Sequence, residues 1–117
     1  MKTLGIPIIR KTYLLYGSFH ALTPTIPKLA RHTLWQKVLT TTLTLLEGLL
    51  SVGHTPKDQK PGQLHKQSNS LELLRILVRL CFDTKLISQK QYLAIQEALD
   101  EIGRMIGGWL RSIPKTK

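Results

Sequence analysis

The side chains best equipped for chemistry in this chain are permanent cations. Pro27 stands directly ahead of Lys28 and Arg31, and Lys37 follows further along. Proline suits the first position of a helix, so Lys28 and Arg31 fall in the first turn of a helix expected over 28–52. The helix dipole is already positive there, and each exposed cation added to it costs roughly 0.3–1 kcal/mol. Backbone N–H groups with added positive charge form a natural phosphate site. A solvated basic turn that aids solubility is the competing reading, and the residues leave both open.

Two further groups of cations lie toward the C-terminus. Glu72, Arg75, Arg79 and Asp83 are spaced three, four and four residues apart, which puts them on one polar stripe of a helix. Glu72–Arg75 and Arg79–Asp83 are ready intrahelical ion pairs, each worth about 0.2–0.5 kcal/mol. Arg75 and Arg79 also lie one turn apart, a spacing that can bracket a phosphate or an acidic partner. The stretch 101–111 reads Glu-Ile-Gly-Arg-Met-Ile-Gly-Gly-Trp-Leu-Arg. Glycine inside a helix costs about 1 kcal/mol relative to alanine, so something must offset Gly103 and Gly107. They are four apart and share a face on which a second helix can approach closely, from the same bundle or a neighbouring subunit, with Trp109 beside them. Asp100 and Glu101 stand close before Arg104, so an ion pair is its simplest role. Arg111 sits at the helix end, where cations are favoured.

Other chemistries lack their residues. His20, His32, His54, His65 and the single Cys81 are not grouped at metal-ligand spacings. The Glu-x-x-His pattern of di-iron bundles is absent. No nucleophile–base–acid set and no glycine-rich phosphate loop after a strand is visible. The expectation is a binding protein with no catalytic residues, metal or cofactor.

The elements that carry these residues follow from length and periodicity. The chain has 117 residues, 17 Lys and Arg against 7 Asp and Glu, and a net charge of +10. This length suits a single domain over 1–117. The charge divides as +5 over residues 1–53, +2 over 54–70 and +3 over 71–117, so no detachable tail holds it. Apolar residues at helical spacing predict helices over about 8–22, 28–52, 64–82 and 88–112. The second carries two ribbons, Leu34–Val38–Leu45–Leu49 and Trp35–Leu39–Leu46–Leu50. The third should bury Leu73, Leu74, Leu77, Leu80 and Cys81. The fourth should bury Tyr92, Ile95, Leu99, Ile102, Ile106, Trp109 and Ile113, with Ser88 as its N-cap.

Pro24, Pro27, Pro56, Pro61 and Pro114 fall in or beside the links. An all-α, up-down-up-down antiparallel four-helix bundle is the simplest assembly. It places Lys28, Arg31, Lys85 and Lys90 at one end and Lys2, Lys57, Lys60, Lys115 and Lys117 at the other. The run Val38–Val52 is shorter than a membrane span and contains Glu47. Arg10, Lys11 and Pro7 spoil the N-terminus as a signal peptide. A cytoplasmic protein with anionic partners and no membrane is expected.

Three stretches resemble a known family: Thr-Ile-Pro-Lys at 25–28, Leu-Leu-Arg-Ile-Leu-Val-Arg-Leu at 73–80, and Glu-Ile-Gly-Arg-Met-Ile-Gly-Gly-Trp-Leu at 101–110. Over about residues 10–113 the chain resembles the accessory variability determinant proteins of diversity-generating retroelements. These belong to a larger set of four-helix proteins that includes the ribosomal-RNA intervening-sequence proteins. The resemblance implies a four-helix bundle that assembles into a basic homopentamer, encoded in a bacterial or phage setting. It implies a partner reverse transcriptase, contact with template RNA and its cDNA, and no active site. Residue by residue, Lys28, Arg75 and Arg79 match basic positions of that family, and Arg104 and Trp109 match its last-helix pattern. Lys37 and Arg111 join these as expected nucleic-acid or partner contacts. The alternative is a structural or interaction protein of the intervening-sequence type with no reverse transcriptase partner.

Overall fold

A computed structural model describes residues 2–115. Four long helices account for most of them: α1 (Pro7–Leu22), α3 (Leu34–Val52), α4 (Lys60–Asp83) and α5 (Gln89–Ser112). A single helical turn, α2 (Lys28–Arg31), precedes α3, and short 3-10 turns lie at Thr3–Gly5, Thr23–Thr25 and Lys57–Gln59. No strand occurs among the described residues. Lys117, expected at one end of the bundle, lies outside them. The fold is an all-α four-helix bundle. α1 packs on α3, α3 on α4, α4 on α5, and α5 returns to α1.

Each long helix buries one stripe. In α1 the stripe is Ile8, Thr12, Leu15 and Phe19, and in α5 it is Ile95, Leu99, Ile102 and Ile106. Alternating steps of four and three keep side chains on one face of a 3.6-residue helix. Phe19 meets Trp35 edge-on at 5.6 Å, and the Trp35 indole N–H donates to Thr23 Oγ1 at 3.0 Å. A buried tryptophan is thus both packed and hydrogen-bonded. Ser88 caps α5 as expected. Its hydroxyl accepts from the Gln91 N–H, and the Gln91 side chain accepts from the Ser88 N–H, a reciprocal capping box.

The helix expected over 28–52 is in fact broken. The chain leaves helical geometry at Thr33 (φ −123°, ψ −101°) before α3 starts at Leu34. Three local bonds favour the break. His32 N–H and Thr33 N–H bond three residues back, to Leu29 and Ala30, and the Thr33 hydroxyl donates to the Leu29 carbonyl. Tightened three-residue bonds and a threonine back-bond compete with the regular ladder. The third expected helix also starts earlier, at Lys60 rather than 64, with Pro61 in its first turn. The Lys60 ammonium donates to the Val52 carbonyl at 3.1 Å, satisfying an acceptor at the end of α3.

The buried stripe of α4 is Leu64, Gln67, Leu71, Leu74, Val78 and Cys81. Leu74 and Cys81 were expected there, but Leu73 and Leu80 stand 42% and 45% exposed and Leu77 is half-buried. A leucine one position before a stripe residue is turned about 100° away from it. The run of leucines at 73, 74, 77 and 80 hid which ribbon faces inward. Leu50 on α3 is likewise 38% exposed.

Candidate nucleic-acid and partner interface

Three of the expected arginines meet in one place. Arg75 on α4 and Arg104 and Arg111 on α5 line a shallow groove of about 470 Å³, together with Asp100, Gly103 and Gly107. The spacing explains the convergence. Asp100, Arg104, Gly107 and Arg111 follow one another at steps of four, three and four, one stripe of α5. Arg75 reaches across from α4. Its Nη1 pairs with Asp100, its Nη2 donates to the Leu99 carbonyl at 3.4 Å, and its Nε lies 3.9 Å from Glu72. Gly103 makes this crossing possible, because a Cβ there would stand 3.2 Å from Arg75 Nη2 and 3.4 Å from Leu71 Cδ2. Gly103 therefore serves a close approach within the bundle, between α4 and α5. Gly107 has a different neighbour: its Cβ would stand 3.3 Å from Arg111 Nη1. Arg111 is folded back along its own helix over that glycine.

Arg104 departs from its expected role. Asp100 faces Arg75 instead, and Glu101 pairs with Lys11 of α1 at 2.8 Å. Hydrogen bonding and charge from Lys11 hold the Glu101 carboxyl below its ordinary range. Among the described residues, neither Arg104 nor Arg111 makes an ion pair. Both are exposed. Helical spacing alone had suggested Arg104 as the partner of these acids; cross-helix reach decided otherwise, and that depends on which faces pack.

Arg79 does not share the groove with Arg75. Its Nε pairs with Asp83 at 3.0 Å, and its guanidinium lies 5.9 Å and 6.0 Å from the ring centres of Phe82 and Tyr92. Those two rings stack at 4.7 Å and tie the end of α4 to the start of α5. The nearby Tyr92 hydroxyl, then the charge of Asp83, raise the Arg79 pKa above its ordinary value. Arg75 and Arg79 are thus largely matched by internal partners and do not bracket a common site.

Lys28, Arg31 and Lys37 are exposed and form no ion pair among the described residues. Lys28 and Arg31 do not gain a phosphate site from a helix terminus, because α2 is only four residues long and carries little dipole. Arg31 is also tethered, its Nε donating to the Ile26 carbonyl at 2.7 Å. Trp109 lies away from the arginine groove, half-buried beside Ile6, Ile8 and Met105. Burial pushes the Cys81 thiol up to about 11, which keeps it protonated and unreactive. Among the described residues no group of three or more His, Cys, Asp or Glu is placed to hold a metal ion. No helix among them is long and apolar enough to cross a membrane.

A family model described as bAvd-like matches residues 7–113. The chain belongs to the bAvd-like family. The matched span opens at Pro7, the first residue of α1, and closes one residue beyond α5. It therefore takes in all four long helices of this bAvd-like chain and every residue of the arginine groove. This agrees with the resemblance to accessory variability determinant proteins drawn from the three sequence stretches. Comparison with curated proteins finds no match.

Proposed function

We propose that this bAvd-like chain is a non-enzymatic accessory protein of a diversity-generating retroelement, one that holds template RNA and its reverse transcriptase together during mutagenic cDNA synthesis. Membership of the bAvd-like family is the observation that carries the reading. The surplus of cations over internal acids supports it. Fixed cations on a helical scaffold attract a polyanion by displacing its condensed counterions, without reading its sequence. As a homopentamer, the assembly this reading adopts, a chain of net charge +10 would present about +50. Such a field gathers RNA, cDNA and an acidic protein surface alike, in the cytoplasm where the polymerase works.

The reading expects a reverse transcriptase gene beside that of this protein, and the test is capture of its product, with and without nuclease treatment. Capture that survives nuclease supports a direct protein contact. Failure to capture it under either condition contradicts the reading. Light scattering tests the assembly separately, and a particle of 13.3 kDa, the mass of one chain, would remove the pentamer.

A further inference from the structure

We propose that the α4–α5 groove seats a backbone phosphate of RNA between Arg104 and Arg111, and that Asp100 is a built-in rival that withholds Arg75 from that contact. The inference rests on the RNA-binding half of the function above and names the place and the control of that contact.

The stripe along α5 reads acid, arginine, glycine, arginine, at Asp100, Arg104, Gly107 and Arg111. Arg104 and Arg111 are separated by seven residues, about 10 Å along the helix, with Gly107 between them. Glycine carries no side chain of its own at that point and the Arg111 guanidinium lies there, so an anion meets Arg111 over the helix surface with Arg104 three residues back along the same stripe. Arg111 already lies over Gly107 rather than extending into solvent. A planar guanidinium donates two parallel hydrogen bonds to a phosphate, and the two non-bridging oxygens of a phosphodiester can each take one arginine.

Asp100 shows how the groove treats an anion. Its carboxylate lines the same groove and holds Arg75, which Gly103 lets lie flat across α5. Asp100 and Glu72 both face Arg75, and Glu101 is held by Lys11 with a weaker pull from Arg104, so among the described residues Arg104 and Arg111 keep their charge without an ion pair. An incoming phosphate binds there first. It gains Arg75 only by competing with Asp100, so the carboxylate weakens binding and makes it readily reversible. The two non-bridging oxygens of an RNA phosphate can engage both unmatched guanidiniums at once. A carboxylate also has two oxygens, so an acidic protein side chain is the rival occupant, which reverse transcriptase capture separates from RNA.

The experiment measures affinity for a single-stranded RNA over a salt series, with thermal melts of each variant. Arg104→Gln/Arg111→Gln should lower the magnitude of the log–log salt slope by about 0.7, the loss of one phosphate contact to a single strand. Arg104→Lys/Arg111→Lys keeps the charge and removes the fork. It should retain the slope while weakening binding, and it guards against a folding defect in the glutamine variant. Asp100→Asn should tighten binding at least threefold by releasing Arg75. If the unaltered protein binds RNA and both double variants bind it equally well, the groove assignment is wrong while the RNA-binding function stands. If the unaltered protein binds no RNA, both fail. Loss of reverse transcriptase capture with RNA binding intact would make the groove a protein site and overturn the proposal. Unchanged or weaker binding by Asp100→Asn would overturn the rivalry.

Discussion

Arg75 lies against Gly103, with its Nη2 only 3.2 Å from where a Cβ at that position would stand. The glycine is the space through which a guanidinium on α4 reaches a carboxylate on α5. Alanine there gains about 1 kcal/mol of helix propensity. Arg75 need give way by only a few tenths of an ångström, so Gly103→Ala should change stability by less than about 1 kcal/mol. Leucine cannot be accommodated in this way. Gly103→Leu should cost about 1–3 kcal/mol in urea unfolding, and an equally stable Gly103→Leu protein would show that the close approach is unimportant.

Gly48 poses a sharper version of the same problem. The buried side-chain amide of Gln67 occupies the space of a Cβ at Gly48. Gly48→Ala should destabilise by about 1–3 kcal/mol through overpacking, despite the better helix former. Gln67→Ala should relieve the clash, so that the alanine at 48 costs little in the double variant. A double-mutant cycle by chemical denaturation reads the coupling. Additive effects would mean that the two positions do not share this space.

The end of α4 should be improvable. Lys85 has a φ of 65°. The Leu86 N–H bonds the Cys81 carbonyl and the Lys85 N–H bonds the Phe82 carbonyl, the pattern of a helix closed by a left-handed residue. Left-handed geometry costs a side-chain-bearing residue about 1–2 kcal/mol, part of which glycine returns through its freer unfolded chain. Lys85→Gly should stabilise by about 0.5–1 kcal/mol in a thermal or urea melt, and a destabilised variant would contradict this backbone geometry.

Acid should loosen the α1–α5 seam. The Glu101 carboxyl is held below its ordinary range, first by its hydrogen bond with Lys11 and then by that residue's charge. A carboxyl with a depressed folded pKa contributes stability above its unfolded value, near 4.3 for glutamate. That contribution is lost as pH falls through the folded value. The stability difference between the unaltered protein and Glu101→Gln should therefore hold at neutral pH and close on acidification below the glutamate range. A difference independent of pH would show that the pair is not what the substitution removes.

Much of the fold is legible in the sequence because helical period and punctuation agree. Ser88 with Gln91 starts α5, and the steps from Ile95 to Ile106 assign its inner face. The break at Thr33 is hidden, because it depends on hydrogen bonds made three residues back rather than on proline or glycine. The exposure of Leu73 and Leu80 is hidden too, since adjacent leucines offer two equally apolar ribbons. At the candidate site, Gly103 was legible as a close approach, and the intrahelical pairs of Arg75 and Arg79 were legible from their spacing. The pairing of Asp100 with Arg75 and of Glu101 with Lys11 was not, because contacts between helices depend on register. Gly48 gave no signal of its own, since its meaning lies in Gln67 on another helix.

If cations left unmatched on the helical scaffold grip a polyanion, the affinity for RNA must fall as salt rises. Anisotropy of a labelled single-stranded RNA, titrated at salt from about 50 to 200 mM, should give log affinity falling linearly with log salt, by about 0.7 for every phosphate engaged. The exposed pair Lys28 and Arg31 should contribute, so Lys28→Glu/Arg31→Glu should bind more weakly while melting like the unaltered protein. A flat salt dependence would contradict phosphate-driven binding, and normal RNA binding by the charge-reversed variant would remove Lys28 and Arg31 from the contact.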